Sequence, residues 1–125
     1  MHCLFFVTFD KNKAKTSEEA RKYVLRHIDD EGVSIEGRGF NSQSDQFWSV
    51  IDRIYIGGRW GGLLGCEEDI VILTRGLYRR WLEPIELGLH SARGAHVSLE
   101  GENLCVYMAN QKWLVVVDGH LAYPE

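Results

Sequence analysis

Residues 2–9, HCLFFVTF, narrow the fold more than any other stretch. In an extended strand, Cys3, Phe5, Val7 and Phe9 point one way, and Leu4, Phe6 and Thr8 the other. Both faces are then apolar, which predicts an interior strand. The 125-residue length fits one domain, and such a chain can bury a core without metal or disulfide staples. Cys3, Cys66 and Cys105 form no CxxC pair, so no disulfide framework is expected. Cys3 and Cys105 read as small hydrophobes within β-like runs, and a catalytic thiol is conceivable only for Cys66.

The next element is a helix over about 17–31. Thr16 and Glu19 have capping-box spacing. Ala20, Tyr23, Val24, His27 and Ile28 follow helical periodicity and predict one buried stripe. Glu18 and Lys22 are placed for an exposed pair, and Gly32 for the stop. Residues 33–46 read as a loop with a short strand at 33–36. Strands are expected at 52–56 and 69–74, and a helix at 77–89 that Pro84 must kink or restart. Further strands are expected at 96–100, 104–108 and 113–118, with ANQK as the hairpin turn between the last two. This order predicts an α+β domain: a mostly antiparallel sheet with two helices packed on one side, ferredoxin-like with extra strands in its specific version.

The stretch DRIYIGGRWGGLLG, 52–65, brackets an arginine and a tryptophan with glycines. Gly57 and Gly62 have a Walker A interval, but Leu63 and Leu64 replace the required Lys and Ser/Thr. No glycine trio there fits the dinucleotide-binding fingerprint. The remaining chemistry is an anion nest of backbone N–H groups, with Arg59 as a planar fork and Trp60 as a stacking face. Asp52 is the candidate to orient Arg59. The bland alternative is a glycine turn in which Trp60 caps the core and Arg59 pairs with Asp52.

The run IGGRW-G, with its preceding aspartate, resembles a loop in a group of small uncharacterised bacterial and phage-borne proteins. FDKNKAKTSEEARKYV is similar to the segment after their opening strand. Their loop more often reads GGRWSG, where this chain has Gly61. The resemblance covers roughly the first half of the chain. It implies that Asp52, Gly57, Gly58, Arg59 and Trp60 belong together, and it implies no activity.

Fourteen basic against 18 acidic residues give a net charge of −4, which disfavours broad phosphate-backbone binding. Arg75, Arg79, Arg80 and Arg93, beside Tyr78 and Trp81, form the most basic neighbourhood, and a solvated helix face accounts for it better than a nucleic-acid site. Asp29, Asp30 and Glu31 read as a solvated tip rather than a cation site. The histidines lack zinc-site spacing, so neither metal nor cofactor is expected. Asp118 and His120 would share a strand face, although Gly119 reads more naturally as a turn. No membrane-length apolar run or signal pattern occurs, which makes the cytoplasm the default expectation.

Two functional classes follow. The leading expectation is a small accessory protein without catalysis, contacting a protein partner or an anionic ligand through the Gly57–Gly62 loop. The alternative is a hydrolase- or transferase-type enzyme, with Arg59 as anion clamp and Asp118/His120 as acid/base. A homodimer is compatible with the sequence, and nothing in it fixes one.

Overall fold

The computed structural model describes residues 2–29, 51–65 and 69–121; the side chains of 28, 29, 51–53 and 121 lie outside that description. The strands are β1 (His2–Asp10), β2 (Ile51–Ile56), β3 (Ile70–Ile72), β4 (Ala95–Ser98) and β5 (Lys112–Leu121). Helix α1 spans Ser17–Asp29. Helix α2 is built from three consecutive pieces: an opening turn at Arg75–Leu77, a wider π turn at Tyr78–Leu82 and a last turn at Glu83–Glu86. The class is α+β, with a five-stranded sheet in the order β2-β5-β1-β4 and β3 also paired to β5. Every pairing is antiparallel except β1 with β4.

β1 is interior, as its two apolar faces require. Phe5, Val7 and Phe9 join Ala20 and Val24 of α1 in one core layer. Leu4 and Phe6 join Tyr78 and Leu82 of α2 in another. The helices therefore divide between the two faces instead of sharing one, and the parallel β1–β4 pair departs from the ferredoxin-like order. A strand apolar on both sides needs a cover on both sides.

The capping box forms, with a small shift. Thr16 Oγ1 accepts from the Glu19 N–H at 3.1 Å, while Glu19 Oε2 reaches the Lys15 N–H at 2.6 Å, one residue before the usual partner. Glu18 and Lys22 pair at 3.5 Å. Pro84 stands at the start of the final turn of α2 and restarts the helix, with the π turn immediately before it. The expected helix stop at Gly32, the loop at 33–46 and the short strand at 33–36 lie outside the described residues.

Two strand expectations change. Residues 104–108 form no strand: the chain makes a 3₁₀ turn at Val106–Met108, with Leu104 and Ala109 buried and Tyr107 exposed. ANQK is accordingly no hairpin turn; Asn110 takes a φ of 73° and donates its N–H to Leu73 C=O at 2.7 Å. Cys105 is exposed rather than a core hydrophobe. Conversely, Gly119 makes no turn. β5 runs through it to Leu121, with Gly119 facing Cys3 on one side and Ile54 on the other.

Candidate functional site

β2 and β3 lie end to end along one side of β5, and the glycine loop is the excursion between them. The Gly57 N–H donates to Val116 C=O at 2.8 Å, and the Val116 N–H donates to Asp69 C=O at 2.9 Å. The chain thus leaves the sheet and rejoins it at a single β5 residue. Gly57 has φ 76° and Gly58 has φ 50°, a region that favours glycine. Space is equally restrictive. A Cβ on Gly57 would lie 2.2 Å from Asp69 Oδ2, and one on Gly58 would lie 2.6 Å from Asp118 Oδ2.

Those close approaches serve two hydrogen bonds. Asp118 Oδ2 accepts from the Arg59 N–H at 2.9 Å, and Asp69 Oδ1 accepts from the Gly62 N–H at 2.8 Å. Two N–H groups of the expected anion nest are therefore occupied by the protein's own carboxylates. Those two N–H groups serve the loop's own fold. Arg59 is exposed and has no ion-pair partner among the described residues; the Asp52 side chain lies outside them. Trp60 is half-buried and packs on the α2-side core layer.

Trp60 also forms one wall of a cleft of about 430 Å³. Cys3, Leu4, Phe5 and Ala95 give it an apolar lining, and Arg93 and Gly94 complete it. The exposed Arg93 has no ion-pair partner among the described residues. Burial, with a smaller contribution from Asp118, pushes the Cys3 thiol above its usual range against the opposing pull of the N-terminus. This thiol is a poor nucleophile at neutral pH. Cys66 lies outside the described residues.

Asp118 is sealed, at 2% exposure. Its Oδ1 lies 2.7 Å from His2 Nδ1. His120 is on the same face and meets the His2 ring edge-on, with centroids 5.2 Å apart. The expected Asp118/His120 pair is thus an Asp118–His2 pair with His120 beside it. Strand register is the cause, since β1 and β5 set His2 opposite His120 and Leu4 opposite Asp118. Arg59 reaches Asp118 through its backbone and not its guanidinium.

Two further polar groups are absent from any local motif. His96 Nδ1 lies 2.8 Å from Glu86 Oε1, and its Nε2 lies 2.7 Å from Thr8 Oγ1. The spacing is that of an acid–histidine–hydroxyl relay. Thr8 is fully buried, so the relay clamps α2 to the sheet and offers no nucleophile to a substrate. At the far end of the sheet, the buried Lys112 ammonium donates to Asp10 and Glu102 and lies 3.4 Å from Glu100. Asp10, Glu100 and Glu102 converge closely enough to hold a metal ion, and Lys112 stands in that place. Burial opposes the Lys112 charge, yet the hydrogen bonds to Asp10 and Glu102 keep its pKa well above normal. Glu100 is pushed up by burial and then by Asp10, with Lys112 opposing.

In α2, the Arg80 guanidinium sits 5.2 Å from the Trp81 ring centroid. That contact engages Arg80, one of the four arginines of the basic neighbourhood, with its own helix. Among the described residues no helix is long and apolar enough to cross a membrane. Compared with known proteins, the chain matches no family model, no curated protein and no solved structure.

Proposed function

We propose that this protein is a small ligand-binding module without catalysis of its own. Its ligand carries a flat apolar body and one anionic group, a carboxylate or a phosphate. The observation behind this reading is the Trp60 cleft, which joins an apolar floor and an indole wall to the Arg93 guanidinium, exposed and without an ion-pair partner among the described residues. Arg59, next to Trp60, adds a second exposed cation on the loop side, without an ion-pair partner among the described residues. A cleft of this size suits a small molecule better than a flat protein partner. The loop is well made for such a task, because Asp118 and Asp69 hold its backbone in place before any ligand arrives.

Phenyl phosphate and benzoate are the probes. Titration is expected to quench tryptophan emission saturably, and Trp60→Phe is expected to remove that change while the other tryptophans remain. Arg93→Ala should weaken binding about tenfold, the effect of one lost charge-assisted contact. Raised salt should weaken it as well. Wild-type affinity in both variants would overturn the reading.

A catalytic reading has one observation in its favour. His2 is held by the buried Asp118, an arrangement that orients a general base. Both oxygens of Asp118 are engaged, so His2 Nε2 is the atom of this pair that can meet a substrate proton. Turnover of a bound phosphate or carboxylate ester, lost in His2→Ala with binding intact, would favour the enzyme.

A further inference from the structure

A second cleft, of about 760 Å³, opens at the other end of the sheet. His2 and Asp10 bound β1, so at roughly 3.3 Å per residue the two ends lie about 26 Å apart. The floor of this cleft is apolar, from Ile72, Ala14 and Trp113. Trp113 is held in place by its indole N–H, which donates to Ala14 C=O at 3.0 Å. The rim is polar and comes from two segments, Lys11, Asn12 and Lys15 on one side and Asn110 and Gln111 on the other. A backbone hydrogen bond of 2.8 Å from the Lys11 N–H to Gln111 C=O ties those segments together.

The rim carries two exposed ammonium groups, Lys11 and Lys15. Asp10 is the one carboxylate lining the cleft among the described residues, and it is engaged by Lys112, which it shares with Glu100 and Glu102. Lys11 and Lys15 have no carboxylate partner among the described residues, and the side-chain amides of Asn12, Asn110 and Gln111 have no hydrogen-bond partner there. Amides pair donors and acceptors with hydroxyl groups, which both donate and accept. Lysines supply point charge for a single anion.

We infer that this cleft is a second binding site, for a hydroxyl-rich ring bearing one negative charge: a sugar acid or a sugar phosphate. The ring's apolar face rests on Ile72 and Trp113, its hydroxyls meet the three amides, and its anion sits between Lys11 and Lys15. This inference is independent of the Trp60 cleft, which lacks amides and presents arginine.

The test is an amide-resolved NMR titration of the whole chain with D-glucuronate and glucose 6-phosphate, with glucose and sulfate as controls. Saturable shifts are expected at the Lys11, Asn110 and Gln111 amides and at the Trp113 indole, and not at Trp60. Glucose should bind about tenfold more weakly, for want of the charge-assisted contact, and so should the sugar acid to a Lys11→Ala/Lys15→Ala variant. Both lysines are on the surface connector, so the variant is expected to fold, and an unchanged Trp60 indole signal checks this. An Asn110→Gly variant retains the turn and should lose part of the discrimination between glucuronate and sulfate. No saturable shift, shifts confined to the Trp60 cleft, sulfate binding as tightly as glucuronate, or undiminished affinity in the double-lysine variant would each overturn the inference.

Discussion

At the residue scale, the glycines of IGGRWGG are explained by two aspartates. Gly57 and Gly58 leave room for the Asp69 and Asp118 carboxylates to reach the loop's N–H groups. Gly58→Ala is expected to cost about 2–4 kcal/mol, from the positive φ and the collision with Asp118 together. Chemical denaturation measures it, and a cost below about 0.5 kcal/mol would mean that the carboxylate does not hold the loop. Lys112 yields a pH-dependent expectation. Glu100 has a raised pKa in the fold, so its effect on stability is most favourable below the ordinary carboxylate range and declines as pH rises through the raised value. Lys112, also raised, keeps its stabilising effect across neutral pH and loses it only in strong alkali. Lys112→Met removes the cation that opposes the Glu100 shift, so the variant should lose stability more steeply than the natural chain as pH rises above the ordinary glutamate range. Parallel pH–stability profiles would refute this. Neither network has a local sequence signature. Asp69, Glu100 and Glu102 look like ordinary surface acids until strand pairing brings them to their partners.

At the element scale, both helices begin on threonine caps. Thr16 Oγ1 accepts from Glu19 and Thr74 Oγ1 from Leu77, each at 3.1 Å. Thr16→Ala and Thr74→Ala should each cost about 1 kcal/mol in thermal or chemical unfolding. Leu82→Ala, which removes a fully buried side chain in the π turn, should cost about 2–5 kcal/mol. The two cap losses should add, because the helices lie on opposite faces and share no partner. Helix α1 was legible because its cap, periodicity and charge pair all lie within one segment. Residues 104–108 have the strand composition LCVYM, yet the chain there drapes over α2 and Tyr78 donates its hydroxyl to Leu104 C=O at 3.2 Å. Composition reports apolar content, and it does not report whether a sheet edge is free to receive another strand.

At the scale of the whole molecule, β5 organises the fold, since it pairs with β1, β2 and β3. Amides of Val115, Val116 and Val117, all fully buried, should exchange with solvent only through global unfolding. The four-residue β4, paired among the described strands with β1 alone, should open first. Native-state hydrogen exchange separates these two behaviours, and equal protection across β4 and β5 would contradict the topology. The same architecture sets two clefts at opposite ends of one strand pair, each close to a buried ionic or polar network.

The sequence by itself determined the class of the fold, the interior place of β1, the helix α1 and the prominence of the glycine loop. These depend on interactions between neighbours along the chain: alternation, helical periodicity, capping, and the demand that an apolar strand be covered. Only the tertiary structure decided which face each helix covers, that His2 is the partner of Asp118, that Arg93 meets Trp60 across a cleft, and that Lys112 stands among three carboxylates. Each of those contacts joins residues brought together by strand register, and register is set by the packing of the whole core rather than by any local stretch.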